Sequence, residues 1–236
     1  MKSWEENLLS IMDGVHCERL AFNKIESAAQ SLGFEHCAYG LRIPLPITSP
    51  KTMMLNNYPA EWRERYVREK YLGIDPTVLH GSKNQTPIIW DESVFASARR
   101  LWEDAQSFGL RVGWAQSNLN TIGVGGMLTL SRSCGKLTKS ELASQEPKWR
   151  WLTIISHLCL SRIFVSKLAD AQPGLTAREI EVLKWSADGK TSGEISNILA
   201  VSEATVNFHI KNAVGKLQTA NKTAAVVRAA MLGILS

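Results

Sequence analysis

The sequence predicts an α+β protein: an N-terminal α/β/α sandwich around a mainly antiparallel sheet, followed by a C-terminal domain of four short helices. At 236 residues, with 44% apolar and 21% charged residues, the chain has a globular composition and is long enough for two domains. Short strand-like runs alternate with helix-like stretches in the first 168 residues, whereas the last 60 show helical periodicity and clear capping residues. We therefore expect two domains of different architecture.

The N-terminal domain is predicted from this alternation. The stretch "RLAFNKIESAAQSLGF" carries apolar residues at helical spacing, and further helices are predicted near 60–69, 96–108 and 138–168. The strand-like runs, each bounded by Pro, Gly or Asn, are "HCAYGLRIP", "TMMLNNYP", "TPIIW", "RVGWAQSNL" and "GGMLTLSR". A sheet of this kind, with helices on a face, can enclose a small ligand.

A linker is predicted where periodicity is lost. The stretch "VSKLADAQPGL" collects Asp170, Pro173 and Gly174 between two apolar-periodic regions. The predicted domains are therefore 1–168 and 175–236, joined by a linker over 169–174.

The C-terminal domain has explicit signals for its helix ends. Thr176 and Thr191 are each followed three residues later by a glutamate, which predicts a capping box at each helix start. Gly189 is suited to the left-handed residue that ends a helix, and Ser202 and Asn221 are suited to cap the third and fourth helices.

The third of these helices has a polar face typical of DNA binding. On a helical wheel one side gathers apolar residues that predict a buried stripe: Val206, Ile210, Ala213, Val214 and Leu217. The opposite side carries Asn207, Phe208 and Lys211, which suit contacts to adenine, a thymine methyl and guanine. Together with the preceding helix and a short turn, it has helix-turn-helix proportions. An ordinary helical bundle with a polar face is the alternative.

Charge and motifs narrow the class of protein. The net charge of +5 is modest, but no acidic residue follows Glu203, so the C-terminal end is locally basic and favours an anionic partner. No G-x-S-x-G, P-loop or H-E-x-x-H motif is present, which argues against an enzyme. The apolar runs are too short to span a membrane and the N-terminus is unlike a signal peptide, so we expect a cytoplasmic protein. The cysteines lack metal-ligand spacing and are expected to be reduced and mostly buried: Cys17, Cys37, Cys134 and Cys159.

The segment "LTAREIEVLKWSADGKTSGEISNILAVSEATVNFHIKNAVGKLQTANK" resembles the helix-turn-helix domain of LuxR-type regulators over essentially its full length. By this resemblance Asn207, Phe208 and Lys211 contact base edges. The candidates for phosphate contact are Lys190, Thr191, Thr205, His209 and Lys216. The last helix, "NKTAAVVRAAMLGIL", is similar to the family's dimer contact, so the resemblance implies a homodimer on double-stranded DNA.

The N-terminal half decides which kind of signal the regulator receives. Residues 1–170 lack the acids and lysine of a receiver domain that is controlled by phosphorylation. The segments "GFEHCAYGLRIP", "NNYPAEWRERY", "IDPTV", "PIIWD", "LWEDAQSFGLRVGWAQ" and "GGMLTLSR" instead resemble, in order, the acyl-homoserine lactone-binding domain of quorum-sensing LuxR-type proteins. The resemblance implies a quorum-sensing transcription factor with no cofactor and an acyl-homoserine lactone as signal ligand. The alternative is the same architecture with a non-lactone or foreign small molecule as its signal.

The resemblance also assigns the ligand pocket. Trp62 corresponds to the donor to the lactone carbonyl, Tyr58 to the phenol on the acyl amide carbonyl, and Asp75 to the acceptor of the amide N–H. These polar partners are needed because an unpaired buried polar group costs about 1–3 kcal/mol. The remaining candidates are Tyr66 along the tail channel, Trp90 against the lactone ring, Thr129 as a further hydroxyl, and Leu101, Trp102, Ala105, Leu110 and Gly113 as pocket walls. Trp114 and the glycine-rich stretch 120–126 depart from the family's pattern.

Overall fold

The structure is a computed structural model that describes residues 4–43, 51–119, 125–170 and 174–235. It has two compact units, Met1–Ile163 and Phe164–Ser236. The helix Lys139–Asp170 begins in the first unit, crosses this boundary and ends two residues into the predicted linker. Residues 171–173 lie outside the described residues. The linker over 169–174 therefore stays a prediction.

Six helices and five strands form the N-terminal unit over the described residues. They are α1 (Trp4–Met12), α2 (Glu18–Ser31), β1 (His36–Ile43), β2 (Lys51–Asn56), α3 (Ala60–Arg68), α4 (Pro76–Gly81), β3 (Ile88–Ile89), α5 (Arg99–Ser107), β4 (Val112–Leu119), β5 (Gly125–Arg132) and α6 (Lys139–Asp170). Short 3₁₀ turns cover Tyr71–Gly73 and Ala96–Ala98. The strands are ordered β2-β1-β5-β4-β3, and each neighbouring pair is antiparallel. The predicted fold class is confirmed.

The two faces of the sheet have different neighbours because successive side chains of a strand point to opposite sides. On one face Trp114 of β4 packs against Trp149 of α6, with ring centroids 5.7 Å apart. On the same face the Tyr39 hydroxyl lies 2.9 Å from His157 Nδ1 of α6. The opposite face is covered by the segment that runs from α3 to α5. The ligand residues predicted from the sequence lie on this second side.

Trp114, which departs from the family's pattern, therefore belongs to the core between the sheet and α6. It is fully buried there and does not line the predicted pocket. The other departure, over 120–126, is described only from Gly125 onward, and residues 120–124 lie outside the described residues.

The C-terminal unit contains α7 (Ala177–Ala187), α8 (Ser192–Leu199), α9 (Glu203–Lys216) and α10 (Lys222–Met231). Both predicted capping boxes are present, and Ser202 and Asn221 cap α9 and α10 through their side chains. Gly189 has φ of +83°, as a left-handed residue after a helix requires. The apolar stripe of α9 forms the core, with Val206, Ala213 and Leu217 buried.

The four cysteines are free, as predicted, but only Cys37 and Cys159 are buried, whereas Cys17 and Cys134 are exposed. Burial raises the pKa of the Cys37 thiol to about 12, so this side chain is protonated and acts as a small apolar residue. No helix in the described part of the chain is long and apolar enough to cross a membrane.

Candidate functional site

Most of the predicted ligand-binding residues lie in one cluster on the α3–α5 side of the sheet. Its buried members are Trp62, Tyr71, Phe95, Ala98, Leu101, Trp102, Ala105 and Leu110, with Tyr58, Tyr66, Trp90, Val94 and Phe108 packed against them. The rings meet at angles, as Trp62 does with Tyr66 at a centroid distance of 5.7 Å, or stack, as Phe95 does with Trp102 at 4.6 Å. The sequence missed Phe95 and Phe108 as members of this cluster.

Asp75 joins the cluster through Tyr66. The Tyr66 hydroxyl donates to Asp75 Oδ2 at 2.9 Å, while Oδ1 accepts from the Thr77 amide at 2.9 Å and from the Thr77 hydroxyl at 2.6 Å. Asp75 is thus the N-cap of α4, with Pro76 at the first helical position. The Val78 backbone also hydrogen-bonds to this carboxylate. Each carboxylate oxygen has about two acceptor sites, so Oδ2, which accepts from Tyr66, has capacity for one more donor.

Burial sets the electrostatics of this group. Desolvation raises the pKa of Asp75, although its hydrogen bonds from Thr77 and Tyr66 lower it in part. Desolvation also raises the pKa of Tyr66, and the neighbouring Asp75 carboxylate adds to that effect. Both tyrosine hydroxyls of the pocket therefore stay protonated donors, because burial raises the pKa of Tyr58 as well.

Tyr71 has a structural role. It is buried, and its hydroxyl donates to Asp104 Oδ2 at 2.5 Å, while Arg65 of α3 binds Asp104 Oδ1 at 2.9 Å. Asp104 of α5 therefore ties α3 and the turn after it to the opposite wall of the cluster. Neither Arg65 nor Asp104 was predicted, because their pairing across 39 residues leaves no local signal.

The sheet supplies the floor of the cluster through small residues. Gly113 of β4 lies directly under Trp90, because a Cβ built at this glycine would come within 2.2 Å of the Trp90 ring. Thr129 of β5 is buried and pairs with Ala115 and Ala38 on its two sides. The Nε1 atoms of Trp90 and Trp102 are buried and have no partner among the described residues.

The exposed face of α9 carries the predicted base-contact residues. Asn207, Phe208 and Lys211 are exposed, and Phe208 is 59% exposed. The Ser192 hydroxyl donates to Asn207 Oδ1 at 2.8 Å, which leaves the Asn207 NH₂ group to point away from that contact. A large exposed ring in this position is typical of an interaction surface.

The predicted phosphate-contact residues differ in how strongly their side chains are already bound by neighbouring residues. Lys190 is half-exposed and lies 3.8 Å from Glu194, a loose pair. Thr191 donates to Glu194 Oε2 at 2.8 Å, the Thr205 hydroxyl lies 2.8 Å from that of Ser202, and His209 is partly buried beside Phe208.

Lys216, also predicted to contact phosphate, forms an ion pair within the C-terminal unit. Its Nζ donates to Glu179 Oε2 at 2.8 Å and to the Gly174 carbonyl at 3.3 Å. Glu179 is only 2% exposed, so its charge needs this partner. Lys216 therefore stabilises the start of α7, and its contact with phosphate stays a prediction.

Comparisons with known proteins identify the family to which both halves of the chain belong. The family model described as the autoinducer binding domain matches residues 18–160, and that of the bacterial regulatory proteins of the luxR family matches residues 173–229. The transcriptional activator protein AnoR of Acinetobacter nosocomialis is 45% identical and is covered over 100% of both chains. The quorum-sensing regulator RhlR of Pseudomonas aeruginosa is 35% identical, over 98% of this chain and 96% of its own length.

A solved structure of SdiA in complex with octanoyl-rac-glycerol superposes with a TM-score of 0.84 at 32% identity, over 100% of this chain and 98% of that one. The similarity thus covers both units of the chain in sequence and in fold.

Proposed function

Because the chain belongs to the LuxR family of bacterial regulatory proteins, as a quorum-sensing transcription regulator with an autoinducer-binding domain, we propose that its signal is an acyl-homoserine lactone and that it binds inverted-repeat DNA as a homodimer. It is a regulator, not an enzyme, and its family uses a signal ligand in place of a cofactor. Residues 1–168 bind the lactone, residues 175–236 bind DNA, and the protein acts in the cytoplasm.

One observation carries the choice of ligand. In an otherwise apolar cluster of rings, Tyr58, Trp62 and Tyr66 converge near Asp75, whose Oδ2 accepts from Tyr66 and has capacity for another donor. An acyl-homoserine lactone offers one amide N–H and two carbonyls beside an apolar tail. The Asp75 carboxylate suits the N–H, the Tyr58 and Trp62 donors suit the carbonyls, and the apolar walls suit the tail.

The alternative signal is an acyl compound without a lactone. SdiA, of the same family and fold, has been solved with octanoyl-rac-glycerol, which has an acyl ester and hydroxyl groups. Such a ligand has no amide N–H, so it gives the Asp75 carboxylate a hydroxyl donor instead.

Mass spectrometry of the ligand that co-purifies from cells fed a mixture of lactones and acylglycerols tests this proposal. We expect an acyl-homoserine lactone in the wild-type protein and much less in Tyr58→Phe. Tyr71→Phe is the matched control and should retain the lactone. Tyr71 belongs to the same cluster, but its hydroxyl binds Asp104. Recovery of an acylglycerol alone would overturn the choice of ligand.

Dimeric DNA binding is tested separately. With saturating lactone, we expect the protein to sediment as a dimer and to bind an inverted repeat far more tightly than a single half-site. Equal affinity for both DNA molecules would contradict the homodimer.

A further inference from the structure

A side-chain hydrogen bond joins α8 and α9 at the edge of the exposed face of α9. The Ser192 hydroxyl donates to Asn207 Oδ1 at 2.8 Å, across 15 residues of the chain. Ser192 is the first residue of α8, and Asn207 lies near the start of α9. A Cβ built on Gly193 would lie 3.9 Å from Glu203 Oε2, so the first turns of the two helices are close here. The bond therefore fixes one polar side chain of the predicted DNA-binding face.

The Ser192 hydroxyl is not needed to begin α8. Thr191 is the N-cap: its hydroxyl accepts from the Glu194 amide, and the Glu194 carboxylate accepts from the Thr191 amide. Ser192 is only half-buried and Asn207 is exposed, and a hydrogen bond that replaces bonds to water adds little to stability. Folding of the C-terminal unit therefore gives little reason for this contact.

The bond determines which end of the Asn207 amide faces outward. The oxygen and the nitrogen of a carboxamide lie on opposite sides of its carbon, so an Oδ1 held by Ser192 turns Nδ2 away from α8. Nδ2 carries two N–H donors, which have no partner among the described residues. Asparagine reads adenine with both ends of its amide, because it accepts from N6–H and donates to N7. With Oδ1 bound by Ser192, Asn207 presents donors.

We propose that Ser192 is a positioning residue that orients the Asn207 amide, so that Asn207 reads guanine instead of adenine at one position of each half-site. Guanine presents two acceptors in the major groove, N7 and O6, whereas adenine presents one acceptor and the N6 donor group. An Asn207 donor aimed at adenine N6 would place two donors against each other. This inference rests on the proposed function, in which α9 contacts bases as part of a dimer. It replaces the adenine contact expected of Asn207 from the sequence.

Base preference tests the proposal in the full-length protein, purified from cells fed the mixture of lactones and acylglycerols. The DNA is the inverted repeat that the wild-type protein selects from random duplexes, with each symmetric pair of positions changed in turn to every other base pair. Asn207→Ala should lose base preference at one position in each half-site. At that position wild type should bind guanine about tenfold more tightly than adenine, whereas Ser192→Ala should bind both within about twofold.

A double variant and two matched controls make the test specific. In the Asn207→Ala background, Ser192→Ala should change the base preference no further. Ser192→Thr keeps the hydroxyl and should keep the preference for guanine. Ser196→Ala removes a hydroxyl of the same helix that donates to the Gly193 carbonyl, so it should bind every operator as wild type does. Thr191 still caps α8 in each variant, so the melting temperatures should match that of wild type.

The outcomes separate this inference from the function on which it rests. If wild type prefers adenine at the position that Asn207→Ala affects, or if Ser192→Ala keeps the full preference for guanine, the inference is wrong. If Ser192→Ala weakens all sequences alike and lowers the salt slope, Ser192 itself contacts phosphate, and the inference is again wrong. If wild type selects no inverted repeat, or if Asn207→Ala alters no base preference, the proposed function or its assignment of Asn207 fails first.

Discussion

The Asp75 carboxylate caps α4, and a single substitution can separate this role from the proposed role in ligand binding. Asparagine is as good an N-cap as aspartate, so Asp75→Asn should keep the start of α4 intact. It loses the charge that would accept the ligand's N–H, which costs about 1.5–3 kcal/mol, or about ten- to a hundredfold in lactone affinity. A reporter dose response for the lactone, with the melting temperature of the ligand-free protein, measures both effects.

Without ligand, the difference in stability between wild type and Asp75→Asn depends on pH, because only the wild-type carboxyl titrates. Burial raises the pKa of Asp75 in the folded state, so its ionisation weakens folding as pH rises above its unfolded value near 3.8. The ligand-free variant should therefore match or exceed wild type at pH 7. Asp91→Asn is the control, because the Asp91 carboxylate is exposed and caps a turn by accepting from the Ser93 hydroxyl and the Val94 backbone N–H. An unchanged dose response for Asp75→Asn would reduce Asp75 to a cap.

Lys216 should affect folding and not the salt dependence of DNA binding. Burial alone would raise the pKa of Glu179, but hydrogen bonds from Lys216 and Thr176 hold it below its ordinary value. Lys216→Met should destabilise the C-terminal unit by up to about 3 kcal/mol, the lower end for a broken buried pair, since 27% of the Lys216 side chain is exposed. Hydrogen exchange over α7 and α9 measures this loss.

The pH dependence of this pair follows from the lowered pKa of Glu179. The stabilisation is present above the unfolded value of 4.5 and is lost as pH falls below it toward the folded pKa, so wild type and Lys216→Met should converge in acid. Unchanged hydrogen exchange together with a reduced salt slope of DNA binding would instead identify Lys216 as a phosphate contact.

The residues that the sequence placed correctly are those with local partners. Thr176 and Thr191 each cap a helix together with a glutamate three residues later, and such spacing can be read directly from the sequence. Lys216 and Glu179 are 37 residues apart in the chain, so the pairing follows only from the packing of α9 on α7.

Among the elements, β4 must carry a glycine at position 113 because the Trp90 ring packs directly on it. Gly113→Ala would place a Cβ within 2.2–2.5 Å of three Trp90 ring carbons, so the ring must move. We expect a loss of about 1–3 kcal/mol from overpacking, with weaker lactone binding, measured by thermal unfolding and ligand titration. Gly40→Ala in β1 is the control for stability, since a Cβ there meets nothing within 4 Å. Equal stability of both variants would show that Trp90 adapts freely.

Substitutions at Lys211 of α9 and at Lys190, which precedes α8, should distinguish base contacts from phosphate contacts. Lys211→Ala should cost about 1–3 kcal/mol on the preferred site and relax discrimination at one base position in each half-site. Lys190→Ala should weaken all sequences alike and lower the slope of log affinity against log salt by about one. Titration of both variants on an inverted repeat and its point variants, with saturating lactone, tests this. Full base discrimination by Lys211→Ala would require another register for α9 in the groove.

Element boundaries were predictable where periodicity and capping agreed. The strands near 36–44 and 125–132 were placed within a residue of their observed ends. The predicted helix over 96–108 is instead a 3₁₀ turn followed by α5, because Ala98 has a non-helical backbone at φ −134° and ψ 48°. Alanine is a strong helix former, so the local sequence gives no sign of this break.

For the whole molecule, ligand binding and folding should be linked. The proposed lactone fills a site inside the N-terminal unit, so a ligand that binds only the folded state at about 100 times its dissociation constant adds about 2.7 kcal/mol of stability. We expect a higher melting temperature and better solubility with lactone. Lys211→Ala should show the same shift, because it alters only the C-terminal unit. Equal melting temperatures with and without a saturating lactone panel would contradict the linkage.

Side chains of β5 point alternately to the two faces of the sheet, and this has a consequence for attempts to change the signal that the protein detects. Thr129 and Ser131 point toward the aromatic cluster, whereas Leu128 and Leu130 are fully buried on the side of α6. A mutant library restricted to the cluster-facing positions of this strand and of β4, with Gly113 kept, should therefore yield altered ligand preference with little loss of folded protein. A library of equal size shifted by one residue should yield mostly insoluble variants that never reach the selection.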